Sequence, residues 1–105
     1  MVEVIWTPGA ISDIEGISQY ISKDSPARAD AFTDRIFDNE GIISQFPASG
    51  RIIPEVGDPS IREHFEQRYR ILYWMLDDGT AWVLAVWHGH RVLPKKVVSR
   101  RKKTP

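Results

Sequence analysis

The chain has 105 residues, equal numbers of acidic and basic side chains, and no cysteine. A chain of this length forms one domain that can bury a core without covalent cross-links. The missing cysteines exclude disulfides and thiolate metal sites. No apolar run is long enough to cross a membrane and no secretion signal opens the chain, so we expect a cytoplasmic protein.

Charge is distributed unevenly along the chain. Residues 1–50 carry eight acidic and three basic side chains, whereas residues 51–105 carry six acidic and eleven basic ones. From Arg91 onward there are seven Lys or Arg residues and no acid, ending in Arg100-Arg101-Lys102-Lys103. This pattern predicts a basic C-terminal tail over residues 94–105, which either attracts polyanions or an acidic partner, or is a solvated end.

The first half of the chain predicts a strand followed by two amphipathic helices. Val2–Trp6 is a short β-rich run, and Thr7-Pro8 then supplies an N-cap and a first helical position. A second start signal, Ser25-Pro26, opens a longer helix that ends before Pro47. Each helix has one apolar face at helical spacing, formed by Ile11, Ile14, Ile17 and Ile21 in the first and by Ala29, Phe32, Ile36, Ile43 and Phe46 in the second.

The second half predicts a meander of strands. Ile52–Val56 contains a proline, which confines it to a sheet edge or to the start of a strand. Strands follow at Ile61–Phe65, Tyr69–Leu76 and Ala81–His88, and the turn Asp78-Gly79 joins the last two as a hairpin. Both hairpin strands are apolar on both faces, as in strands covered on two sides. The order predicts an α+β domain: an N-terminal strand and a two-helix hairpin on one face of a small twisted antiparallel sheet.

Five local features also follow one another along the chain. They are Trp6-Thr7-Pro8 with Ala10, Tyr20-Ile21 with Asp24-Ser25-Pro26 and Ala29, Phe46-Pro47 with Gly50-Arg51 and Pro54-Glu55, Ile61-Arg62-Glu63 with Tyr69-Arg70-Ile71-Leu72-Tyr73, and Val86-Trp87-His88-Gly89-His90-Arg91. In order and spacing they resemble the toxins of the RelE/ParE superfamily of bacterial toxin-antitoxin modules. The resemblance implies a toxin domain over residues 1–93 with the fold that the element order predicts.

The resemblance also implies a function. Members of type II toxin-antitoxin systems inhibit growth until a cognate antitoxin neutralises them, so we expect a hetero-oligomer with an antitoxin, no cofactor and no membrane partner. Two targets stay open: ParE-like toxins inhibit DNA gyrase, whereas RelE-like toxins are metal-independent endoribonucleases that cleave mRNA on the ribosome. A degenerate member that retains only antitoxin binding is a third interpretation.

If the chain is a ribonuclease, the resemblance implies a site at the end of the hairpin away from its turn. RNA cleavage needs a base for the 2′-hydroxyl proton, an acid for the leaving oxygen and cations for the phosphate charge. Arg70 matches the arginine that would hold the scissile phosphate, Glu55 resembles the acidic base of some members, and His88 or His90 is the candidate general acid or base, a role that histidine side chains often fill. The secondary candidates are Arg62, His64, His90 and Arg91.

Departures from the RelE-like pattern favour the ParE-like branch and inhibition of gyrase. RelE-like enzymes often carry a C-terminal tyrosine, but no tyrosine follows Tyr73, and Arg62-Glu63-His64 replaces their lysine pair. The candidates also have structural explanations: Arg70 pairs with Glu55 or Glu63 inside the sheet, and the histidines are hydrogen-bonded rim residues without the tight spacing of a metal site.

The register of the hairpin distinguishes the two interpretations. A two-residue loop at Asp78-Gly79 would place Arg70 opposite Trp87 and His88 on the other face, whereas a three-residue loop would place Arg70 opposite His88. The ribonuclease interpretation predicts that Arg70 and His88 share a face and bracket one phosphate. If the two lie on opposite faces, that pairing is lost and His90 is left as its substitute.

Overall fold

A five-stranded sheet carries a two-helix hairpin on one face. The computed structural model describes residues 1–89, 97, 99 and 100. The α+β class predicted from the sequence is confirmed. The elements are β1 (Glu3–Trp6), α1 (Pro8–Ser22), α2 (Pro26–Gln45), a short 3-10 helix (Pro47–Ser49), β2 (Arg51–Ile52), β3 (Ile61–Glu66), β4 (Tyr69–Met75) and β5 (Thr80–His88).

The two predicted caps start the helices. The Thr7 hydroxyl oxygen accepts a hydrogen bond from the Ala10 N–H at 3.2 Å, and the Ser25 hydroxyl oxygen accepts one from the Arg28 N–H at 3.2 Å. A proline follows each cap, at a position where a backbone N–H would have no partner within the helix. The Thr7 hydroxyl also donates to the Val83 carbonyl at 2.8 Å, so the same residue joins the start of α1 to β5.

The strands lie in the order β1-β5-β4-β3-β2. Strands β2 to β5 form an antiparallel meander, as predicted, whereas β1 pairs with β5 in parallel. A parallel neighbour requires a long connection, and here everything from α1 to β4 lies between the two strands. The sheet is therefore mixed, with the N-terminal strand as its one parallel member among the described residues.

Strand β2 and the position of Phe46 differ from the sequence prediction, and the other strands each differ from it by one residue at one end. Strand β2 ends at Ile52, because the chain turns there: the N–H groups of Val56 and Gly57 both donate to the Ile53 carbonyl, and Pro54 has no N–H for a ladder. Helix α2 ends at Gln45, which leaves Phe46 62% exposed rather than on the buried face.

Each face of the sheet has its own core. Toward the helices, α1 and α2 pack on the sheet through Ile14, Phe32, Ile36, Ile71, Tyr73, Val83 and Val86. On the opposite face, Ile53 and Val97 cover the sheet. They pack against Ile61, Leu72 and Ala85. The predicted two-sided burial of the hairpin strands is confirmed, and segments outside the regular strands supply the second cover.

The turn between β4 and β5 is a three-residue loop, Asp77–Gly79, closed by a hydrogen bond from the Leu76 N–H to the Thr80 carbonyl at 2.9 Å. Gly79 has a φ of 85°, in the left-handed region that glycine adopts without strain. The predicted Asp-Gly hairpin is therefore present, with one more residue in the loop than the shortest alternative.

A bulge then changes the register of the hairpin. The pairing shifts by one residue at Leu84, which has no partner on β4. Beyond the bulge, Arg70 lies opposite Trp87 and Tyr69 lies opposite His88. Neighbouring residues of a strand point to opposite faces, so Arg70 and His88 lie on different faces of the sheet. The three-residue loop and the bulge each shift the register by one residue. Together they place Arg70 opposite Trp87, which is the pairing expected for a two-residue loop without a bulge.

Tyr73 fastens the turn after α2 to the sheet. Its hydroxyl donates to the Pro47 carbonyl at 2.5 Å and accepts from the Gly50 N–H at 3.1 Å. A Cβ on Gly50 would overlap that hydroxyl and lie 3.0 Å from the Glu63 carbonyl oxygen. Only a residue without a side chain fits this close approach.

We expect Gly50→Ala to lower the free energy of unfolding by about 1–3 kcal/mol, because the added methyl group pushes Tyr73 off the turn. Gly41→Ala is the matched control: a Cβ there has no atom within 4 Å, and the helical position gains about 1 kcal/mol from the same change. Urea denaturation measures both. Equal effects of the two substitutions would contradict the close approach at Gly50.

Candidate functional site

Arg70 lies at the centre of an ion-pair cluster on the sheet face away from the helices. Its Nε donates to Glu63 Oε1 at 2.5 Å, and its Nη1 and Nη2 donate to the two carboxylate oxygens of Glu55 at 2.9 and 3.2 Å. Only 5% of the Arg70 side chain is exposed. All three guanidinium nitrogens therefore have a carboxylate partner, and both structural partners proposed from the sequence are used.

Glu63 is the buried anion that organises this cluster. Its side chain is fully buried, and its second oxygen, Oε2, accepts from Arg51 Nε at 2.8 Å. The sheet brings the three together, because Arg51 lies opposite Glu63 on β2 and Arg70 is a diagonal neighbour on β4. A buried carboxylate is costly unless it is paired and hydrogen-bonded, and two guanidinium groups meet that need. Arg51 also lies over the Phe65 ring, 5.2 Å from its centroid.

The pairing keeps Glu55 and Arg70 ionised. The hydrogen bond with Arg70 lowers the pKa of Glu55 below its ordinary value, although partial burial acts in the other direction. Burial opposes the charge of Arg70, but hydrogen bonds to Glu55 and Glu63 outweigh it and raise the pKa of Arg70. A general base works best with a pKa near the operating pH, so this environment moves Glu55 away from that role.

Two further candidates, His88 and His64, lie on the helix-facing side of the sheet. The His88 ring contacts Tyr69 edge-on, with the ring centroids 5.5 Å apart. The His64 ring stacks on Tyr73 at 5.6 Å, and its Nε2 lies 3.2 Å from the Ser49 hydroxyl oxygen. Burial lowers the pKa of His64, which favours its neutral form. Each histidine thus has an aromatic neighbour rather than a place beside Arg70.

Arg62 has a structural role in the same region. Its Nε donates to the Pro59 carbonyl at 2.8 Å, and its Nη1 donates to the carbonyls of Ala48 and Gly50 at 3.1 and 3.0 Å. These bonds join the turns on either side of β2. The guanidinium therefore holds backbone in place.

The structure brings Arg70 and Glu55 into contact and separates both from His88, His64 and Arg62. The predicted bracket of one phosphate between Arg70 and His88 is not formed, because the bulge at Leu84 turns His88 to the other face. His90 and Arg91 lie outside the described residues. Among residues 1–89, 97, 99 and 100, no group of three or more acidic or histidine side chains is arranged to hold a metal ion.

Sequence reasoning missed Arg51 as a member of the cluster. Arg51 precedes the predicted edge strand, and no local pattern marks a partner for it on the next strand. The one available signal was the opposite charge of Glu63, which an antiparallel pairing of β2 with β3 brings across from it.

A groove of about 860 Å³ runs between α1 and the ends of β4 and β5. Its lining includes Asp13, Tyr20, Arg28, Arg68 and His88. Tyr20 is 73% exposed, and the Lys23 ammonium lies 5.9 Å from its ring centroid.

Among the described residues, neither helix is long and apolar enough to cross a membrane.

Comparison with known proteins assigns the family. The profile described as the ParE toxin of the type II toxin-antitoxin system parDE matches residues 4–93. The chain belongs to the ParE toxin family. The RelE/ParE resemblance inferred from the sequence is confirmed, and this ParE-family chain is the toxin component of such a system.

Two solved structures show the same fold as this ParE-family chain. A chain of the chromosomal ParDE system from P. aeruginosa superposes with a TM-score of 0.67 at 18% identity, covering 84% of this chain and 96% of that one. A chain of the RelBE2 toxin-antitoxin complex from Mycobacterium tuberculosis superposes with a TM-score of 0.51 at 21% identity, covering 83% and 96%. No curated protein matches at a significant level.

Removing one member of the buried pair should destabilise the ParE-family chain strongly. We expect Glu63→Leu or Arg70→Met alone to cost about 3–5 kcal/mol of unfolding free energy, because each removes the buried partner of a buried charge and leaves that charge only a partly exposed partner, Glu55 or Arg51. The double variant should recover part of that loss, since it buries neither charge. Urea denaturation at pH 7 measures the unfolding free energies of the wild type, the two single variants and the double variant.

The control is Glu55→Gln, because Glu55 is 41% exposed and its loss leaves Arg70 paired with Glu63. We expect it to cost clearly less than Glu63→Leu. Strictly additive single and double effects would show that the two buried charges do not depend on each other.

His64 should make stability depend on pH. Because burial lowers its pKa in the folded state, its stabilising contribution is fully present above the unfolded histidine pKa of about 6.5 and is lost as pH falls below that value. We therefore expect the urea midpoint of the wild type to fall more steeply between pH 7.5 and 5 than that of His64→Gln. The carboxylates titrate in both proteins, so the difference isolates His64. Parallel pH profiles would contradict this assignment.

Proposed function

We propose that this toxin inhibits growth by binding DNA gyrase rather than by cleaving RNA, and that a cognate antitoxin neutralises it. The family assignment supports a toxin, and the solved toxin-antitoxin structures of the same fold support an antitoxin partner. The observation that carries the choice of target is the complete pairing of the Arg70 guanidinium with Glu55 and Glu63.

A phosphate could reach Arg70 only by replacing Glu55. That exchange would break two charge-assisted hydrogen bonds and would still leave the fully buried Glu63 carboxylate next to the incoming anion. Electrostatics therefore opposes a second anion at this position. An arginine held in this way is a poor phosphate ligand.

Among the described residues, the Arg70 side of the sheet also lacks the acid and base that RNA cleavage needs. Glu55 is held ionised by Arg70, and His88 and His64 lie on the other face. The described part of the Arg70 cluster therefore offers no histidine and no unpaired carboxylate to a phosphate bound at that arginine. This arrangement supports a toxin that acts by binding its target.

Induction in a bacterial host without the antitoxin tests the proposal. DNA and protein synthesis are followed separately within minutes of induction, and purified protein is assayed for inhibition of supercoiling by gyrase. Early loss of DNA synthesis with filamentation is the expected result. Early loss of translation with cleaved messages would assign the ribosome and mRNA as targets. Growth without effect, together with antitoxin binding, would identify a toxin that has lost its activity.

The variant Glu63→Leu/Arg70→Met separates the two targets at the level of residues. It removes Arg70 while limiting the loss of stability, so we expect the folded variant to remain toxic and to inhibit gyrase as the wild type does. Truncation before Arg100 should weaken toxicity, because it removes the basic run that would face gyrase-bound DNA. Loss of toxicity in the folded double variant would instead support phosphate binding by Arg70.

A further inference from the structure

Strand β5 is longer than its edge partner. Strand β1 pairs with β5 only from Thr80 to Val83, so the outer edge of Leu84–His88 has no neighbouring strand among the described residues. Backbone N–H and C=O groups at such an edge need partners, and an uncovered edge accepts strands from other chains. We refer to Leu84–His88 as the open margin of β5.

Side chains occupy part of this open margin. The Val86 N–H donates to Asp13 Oδ2 at 3.1 Å, and the Leu84 carbonyl accepts from Arg100 Nη1 at 3.1 Å. The two side chains are themselves joined, because Arg100 Nη1 donates to Asp13 Oδ2 at 2.7 Å. One ion pair thus connects α1, β5 and the C-terminal segment.

The C-terminal segment is anchored at a second point on the other side of the sheet. Val97 is fully buried against the core formed by Ile53 and Leu72, whereas Arg100 lies beside the first turn of α1. A Cβ on Gly9 would lie 3.2 Å from Arg100 Cδ, so the absence of a side chain there makes room for the arginine. Val97 and Arg100 therefore contact opposite sides of the sheet.

We propose that the Asp13–Arg100 pair is a releasable latch that holds the C-terminal segment against the open margin of β5. The two side chains are 16% and 29% exposed, so salt and water reach this pair, in contrast to the buried Arg70–Glu63 pair. Closing the latch adds an Arg100 donor to the Leu84 carbonyl, which also lies 3.4 Å from the Thr7 hydroxyl oxygen, and holds Asp13 against the Val86 N–H. Opening it removes the Arg100 donor and releases the Val86 N–H to solvent.

Hydrogen exchange of the Val86 amide, measured by NMR at low and high salt, tests the latch. We expect exchange in the wild type to accelerate between 0.05 and 1 M NaCl, on the order of fivefold, as a partly exposed ion pair is screened. Arg100→Gln should show the faster rate already at low salt and lose the salt dependence. Arg28→Gln removes the same charge from an exposed position of α2 and should behave as the wild type.

The Leu72 amide in the centre of the sheet reports on the global fold in every sample. Asp13→Asn should accelerate Val86 exchange as Arg100→Gln does, and if it fails to fold, Arg100→Gln alone decides the matter. Unchanged Val86 exchange in folded Arg100→Gln would overturn the proposal, because Asp13 would then hold the margin without the C-terminal segment. A salt response in Arg100→Gln equal to that of the wild type would overturn it as well.

Discussion

The structure depends on the charge of Glu63, a carboxylate with no access to water. Its two oxygens are bonded to Arg70 on β4 and Arg51 on β2, so one anion joins three adjacent strands. Arg70 in turn draws Glu55 onto the sheet, and with it the turn that places Ile53 over the second core. A two-residue edge strand and an irregular turn would add little to the stability of the fold by themselves. The requirement to pair Glu63 gives both a fixed position.

The need to pair Glu63 also explains why the role that the sequence suggests for Arg70 differs from the contacts that Arg70 makes in the fold. An arginine at the position of Arg70 resembles a phosphate ligand when only the sequence is considered, because strand position and neighbours match. In the folded chain its hydrogen-bonding capacity is directed to two carboxylates. The other candidates, His64 and Arg62, are bound to the turn after α2. Residues that suggest chemistry by type are here the means by which irregular segments are attached to a small sheet.

How far the fold could be predicted depended on the range of the interactions. The caps at Thr7 and Ser25, the helices and the Asp-Gly turn follow from neighbours within a few residues, and sequence patterns captured them. The bulge at Leu84 does not: Thr7 binds the Val83 carbonyl and Asp13 binds the Val86 N–H, both across more than seventy positions of sequence. Local sequence patterns therefore could not predict on which face of the sheet His88 lies. For the same reason they could not predict which candidate residues lie together. The parallel pairing of β1 is nonlocal in the same way.

The pairing of β1 with β5 has a consequence for the synthesis of the toxin. Residues 3–6 pair with residues 80–83, so β1 leaves the ribosome long before β5, and the helix-facing core cannot close until β5 follows. Contacts between distant parts of a chain form slowly, because the intervening loop must first be ordered. Until β5 has emerged, α1 and α2 have only an incomplete sheet to pack on. The helix-facing core of a nascent chain therefore stays open until residues 80–83 have emerged, an interval in which a partner already present in the cell can meet the chain as it folds.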